Sequence, residues 1–126
     1  MADYGEAIRI NPRFANAFAN RGDAYRDKGE LERALADYSE AVRINPRNAV
    51  AIGSRGFVRL KLGDVDQSIA DYDAALQLNP KFAGALYGRG LAKQKKGDRA
   101  GADADLAAAR AIRPDIAAEF AKSGIE

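Results

Sequence analysis

The chain contains neither cysteine nor histidine among its 126 residues. Without cysteine there is no disulfide, thiol nucleophile or thiolate metal site, and reducing and oxidising compartments suit it equally. Without histidine, the usual general base and the commonest transition-metal ligand are missing. Serine occurs only at Ser39, Ser54, Ser68 and Ser123, with no imidazole to activate it. No apolar run approaches the ~20 residues that cross a bilayer, so membrane insertion is not expected. The first residues do not read as an export signal. The compartment stays open: cytoplasm by default, periplasm if a parent chain carries such a signal. Acids pair at Asp64/Asp66, Asp71/Asp73 and Asp103/Asp105. Residues two apart on a helix point in different directions, and no loop has calcium-binding spacing. No metal, cofactor or enzyme activity is expected.

What is present is a period. Asn11-Pro12, Asn45-Pro46 and Asn79-Pro80 recur every 34 residues, and Arg113-Pro114 is an altered fourth copy. A fixed period of this length marks stacked copies of one unit, and stacked units make extended surfaces rather than enclosed chambers. Between the prolines, apolar residues recur at helical spacing on both sides of a central glycine. Gly29, Gly63 and Gly97 each suit the position just past a helix end. Asp64 is a candidate N-cap with Gln67 as a capping-box partner, and Asn48 and Asp115 offer further caps. Each proline stops the helix before it. The pattern predicts helices over 15–28, 31–44, 49–62, 65–78, 83–96 and 99–112. With 30% charged and 47% hydrophobic residues, the chain falls in the globular range and has the length of one domain.

These copies resemble the tetratricopeptide repeat, a helix–turn–helix family. The first carries its pattern at Phe18, Gly22, Tyr25, Ala34, Tyr38, Ala41 and Pro46. The second carries it at Ile52, Gly56, Ser68, Tyr72, Ala75 and Pro80, and the third at Leu86, Gly90, Ala102, Leu106, Ala109 and Pro114. Arg59 and Lys93 depart from the family's aromatic at one position. Their aliphatic stems are expected to cover apolar surface while their charges reach water. The resemblance implies an all-α, right-handed α-solenoid of stacked antiparallel helix pairs, with repeats at 15–48, 49–82 and 83–114. Residues 1–12 would be a leading half-repeat and 115–126 a capping helix with Ile116 and Phe120 facing the array. Met1 then falls inside a repeat, as in a piece cut from a longer array or a gene product whose missing half-repeat leaves a helix face uncovered, whereas the other end looks natural.

The family usually binds ligands along its inner curve. By resemblance the inward positions include Asn16, Asp23, Arg26, Val50, Phe57, Leu60, Lys61, Tyr87, Leu91, Gln94 and Lys95. Phe57, Leu60, Tyr87 and Leu91 would form an apolar floor. Gly53 and Gly84 would leave room for a ligand backbone, and Arg26, Lys61 and Lys95 would form a basic rim. The expected partner is a protein or peptide with bulky apolar side chains and some negative charge. Some relatives clamp a chaperone tail by its carboxylate. The matching positions here are Ala19, Asp23, Ser54, Gly84 and Gly88, which cannot form that clamp.

Other features are read structurally. Arg21, Arg55 and Arg89 recur with the period, as do Asp37, Asp71 and Asp105 as candidate partners. Net charge is +2, with residues 83–116 carrying seven basic side chains against four acids. The basic run Lys93, Lys95, Lys96 and Arg99 lacks the aromatic ladder that supports nucleic-acid binding, so a solvated edge is expected. An alternative function is homodimer formation through the exposed half-repeat, with Tyr4, Ala7 and Ile8 as the contact face.

Overall fold

A computed structural model of the chain describes residues 13–122. Seven helices lie among them: α1 Arg13–Asp27, α2 Leu31–Ile44, α3 Ala49–Leu62, α4 Val65–Leu78, α5 Ala83–Lys96, α6 Arg99–Ile112 and α7 Ile116–Lys122. Successive helices pack as hairpins, and the hairpins stack through α2 on α3, α4 on α5, and α3 on α5. The result is a right-handed all-α solenoid, three helix pairs closed by α7. The half-repeat and its Tyr4, Ala7 and Ile8 lie outside the described residues.

Turn chemistry explains the helix boundaries. Gly29, Gly63 and Gly97 adopt φ of 79°, 89° and 92°, where a side chain would be strained. After α3, Gly63 N–H donates to Leu60 and Asp64 N–H to the Arg59 carbonyl, the paired bonds that satisfy a helix end. At the N-termini, Asn48 Oδ1 accepts from Ala51 N–H at 3.1 Å and Asp98 Oδ1 from Gly101 N–H at 3.0 Å. Asp64 occupies the N-cap of α4 but makes no side-chain cap bond, so the expected box with Gln67 does not form. Its ψ of 69° lies further from the extended region than the 92° of Asn48, which does cap.

The recurring arginines are structural. Arg21 grips Asp37 at 2.7 and 2.8 Å, Arg55 grips Asp71 at 3.1 and 2.9 Å, and Arg89 grips Asp105 at 2.8 Å through both nitrogens. These carboxylates are 5–6% exposed, and each bidentate fork ties the two helices of one hairpin. The two departures from the aromatic pattern join the same pairs. Arg59 reaches Asp71 at 2.9 Å and Lys93 reaches Asp105 at 3.0 Å. Their charges therefore bind buried acids rather than water, correcting the expectation from their stems alone. Burial pushes the Asp105 carboxyl upward. Hydrogen bonds from Arg89 and Lys93 outweigh it, holding the group below the usual carboxylate range.

Candidate functional site: a cleft on the inner face

Helix α7 packs against α5 and α6 and shapes the surface beside α3. Ile116 is 1% exposed, and Phe120 places its ring 4.8 Å from that of Tyr87 and 5.9 Å from that of Phe57. Beside it opens a cleft of about 230 Å³. Its apolar walls come from Phe57 of α3, Phe82 before α5 and Phe120, with Tyr72 also contributing. Arg26, Arg113 and Glu119 supply the charge, and Arg113 pairs with Glu119. The Arg26 guanidinium lies 5.8 Å over the Phe57 ring and Lys61 Nζ 5.7 Å from it. A neighbouring hollow, walled by Arg26, Asp27, Phe57, Lys61 and Lys122, continues this basic margin.

Of the residues expected in a groove, the structure brings together Arg26 and Phe57, with Lys61 adjoining. Leu60, Tyr87 and Leu91 are 2%, 1% and 8% exposed and belong to the core, so they form no open floor. Tyr87 is covered by Phe120, and the contact of α3 with α5 encloses positions that an isolated helix would expose. Val50 is 65% exposed and Asn16 and Lys95 are exposed, all outside the cleft wall. Gln94 lines a separate hollow with Gly97, Arg99 and Asp103. The room over Gly53 and Gly84 is taken. A Cβ there would meet the Phe82 ring at 3.1 and 3.2 Å, so Phe82 rather than a ligand lies against both. Phe82, Phe120, Arg113 and Tyr72 line the cleft without having been among the expected groove residues, although Tyr72 was expected as a packing position and Phe120 as facing the array. Phe82 left a signal, since an aromatic stands at the N-cap of α5 where Asn48 caps α3.

Asp23 serves the fold. Its carboxylate accepts the hydroxyl of Tyr38, a fully buried ring packed against Gly22. Burial pushes that phenol well above its ordinary value, and the bond to Asp23 adds to the rise. The equivalent Tyr72 is 2% exposed, yet its hydroxyl has no partner among the described residues. Burial, then the charge of Asp71, raises its pKa strongly, so the hydroxyl remains a donor.

This arrangement of period, glycine turns and stacked hairpins matches one family. The TPR repeat family matches residues 22–63 and 56–97, and a second tetratricopeptide-repeat family matches 4–36. The chain belongs to the tetratricopeptide-repeat family. Solved tetratricopeptide domains share its fold. An Arabidopsis OM64 domain is 25% identical, with a TM-score of 0.78 over 80% of this chain and 84% of its own. The first such domain of Spaghetti (RPAP3), bound to the HSP90 peptide SRMEEVD, is 20% identical with a TM-score of 0.81, covering 92% and 94% of the two chains. The second domain of Spaghetti, bound to the same peptide, is 23% identical with a TM-score of 0.80 over 83% and 97%. No curated protein matches the sequence. As a tetratricopeptide-repeat domain the chain is a protein-interaction module. Among its described residues no helix is long and apolar enough to cross a membrane, and no cluster of three or more acidic side chains could hold a metal ion.

Proposed function

We propose that this domain binds a peptide segment of a partner protein in the inner-face cleft, and that it acts without catalysis as an adaptor. The observation that carries the reading is the cleft itself. Three aromatic rings, Phe57, Phe82 and Phe120, meet there beside two guanidiniums. Aromatic anchors with a charged margin are the chemistry that concentrates binding energy and orients a partner. The two Spaghetti domains of like fold carry a peptide, which supports the same use here.

The test is selection from a random-peptide display library on the wild type and on Phe57→Asp. The fold should accept this change, because the first repeat carries Asp23 at the same position. Wild type should enrich a peptide family that Phe57→Asp, shown folded by circular dichroism, binds at least ~10-fold more weakly. Equal binding by both proteins would remove the cleft as the site.

A further inference from the structure

Among the described residues, Arg59 Nε and the Tyr72 hydroxyl are buried without a hydrogen-bond partner, and comparing equivalent positions of the repeats explains the second. In the first repeat the Tyr38 hydroxyl donates to the Asp23 carboxylate, with Ser54 of the next repeat close by. Thirty-four residues on, Tyr72 keeps the ring and the hydroxyl, but Asp23 has become Phe57 and Ser54 has become Gly88. Neither replacement has a side-chain acceptor. In the third repeat, Leu106 and Leu91 replace tyrosine and acid together, so nothing is left unmet. Only the middle repeat carries the donor without its acceptor.

Tyr72 also lines the cleft, with its hydroxyl buried behind the wall. Its ring packs between Gly56 of α3 and Gly88 of α5. A Cβ on Gly56 would meet Cζ at 3.3 Å, and one on Gly88 would meet the hydroxyl at 2.4 Å. The missing Cβ on α5 lets the ring reach across the hairpin stack, and Tyr72 forms part of the cleft wall. A buried donor without a partner is costly in a fold, and few remain unless something else satisfies them. Arg26 and Arg113 line the cleft beside Glu119; Arg113 pairs with Glu119 and Arg26 lies 3.5 Å from Asp23 and from Asp27, so an incoming acid would share guanidiniums that already have carboxylate partners.

We propose that the cleft receives an acidic side chain of a partner peptide, whose carboxylate accepts the Tyr72 hydroxyl as Asp23 accepts that of Tyr38. The inference rests on the peptide-binding reading and narrows it to a sequence preference. An aspartate or glutamate between bulky apolar residues is the ligand: the apolar groups meet Phe57, Phe82 and Phe120, and the acid meets Tyr72 with Arg26 nearby. Tyr72 is a specificity residue here, and its hydroxyl makes no hydrogen bond among the described residues.

The experiment takes peptides selected on the wild-type domain and compares each with its Glu→Gln or Asp→Asn version, against wild type and Tyr72→Phe. Tyr72→Phe removes one oxygen atom from a position that is already hydroxyl-free in the third repeat, and its melting curve verifies folding. On wild type the acid-to-amide change should weaken binding about 10-fold, the scale of one charge-assisted hydrogen bond. On Tyr72→Phe the same change should cost less than ~2-fold. An equal loss on both proteins, or selected peptides without a fixed acid, would overturn the proposal while leaving cleft binding intact. If wild type selects no peptide, the cleft reading fails and this inference with it.

Discussion

Tyr38→Phe and Tyr72→Phe delete the same atom from equivalent positions, and their stability effects should have opposite signs. Tyr38 loses a hydroxyl bonded to a carboxylate. The Asp23 side chain is 47% exposed and regains water when the bond is lost, so the cost lies low in the range for charged hydrogen bonds, about 1.5 kcal/mol. Tyr72 loses a buried hydroxyl that has no partner among the described residues. Removing it relieves a desolvation penalty of ~1–2 kcal/mol, partly offset by the atom-sized gap left behind, for a net gain of about 1 kcal/mol. The two variants should therefore differ by ~2–3 kcal/mol, or about 10 °C in midpoint for a chain of this size. Urea and thermal melts by circular dichroism at neutral pH would read the difference directly. If Tyr72→Phe falls as far as Tyr38→Phe, the Tyr72 hydroxyl is satisfied within the fold, and it is not reserved for a ligand.

Other consequences follow from the same contacts. Asp71→Asn should destabilise by about 3 kcal/mol, because Arg55 and Arg59, only 19% and 20% exposed, lose their shared carboxylate. Glu40→Gln, which breaks the exposed pair with Arg43, should leave the melt unchanged. Asp105 is held below its ordinary value, so the unfolded chain binds the extra proton in acid. Its contribution is complete above the ordinary value of 3.8 and is lost as pH falls through the lowered folded value; Asp105→Asn should flatten the acid limb of stability against pH there. Gly88→Ala should cost about 2 kcal/mol despite its better helix propensity, because the new Cβ would lie 2.3 Å from Tyr72 Cζ in a packed site. An unchanged melt for that variant would mean the Tyr72 ring sits elsewhere.

The architecture was legible because its punctuation is local. Gly29, Gly63 and Gly97 follow helices where their backbone freedom is needed, and the Asn-Pro pairs with Arg113-Pro114 end the others. Five of the six expected helices accordingly have the expected bounds, with α1 starting at Arg13 and ending at Asp27. The inner face was less legible because it depends on stacking and on α7. Leu60 and Leu91 lie on helix faces that the sequence pattern places inward, but neighbouring helices close over them. Phe82 reaches from a turn to cover Gly53 and Gly84, a contact with Gly53 across the hairpin that the 34-residue spacing does not encode. The orphan at Tyr72 was present in the aligned copies as the changes from Asp23 to Phe57 and from Ser54 to Gly88. Recognising it required the geometry of Tyr38, which shows what those two positions do for a buried phenol.

The most direct measurement is a 15N-resolved NMR titration of the domain with a peptide selected on it. The account predicts shifts clustered at Gly53, Ser54, Phe57, Phe82, Gly84 and Phe120, with α2, α4 and α6 unchanged on their solvent faces. Shifts confined to those outer helices would contradict it.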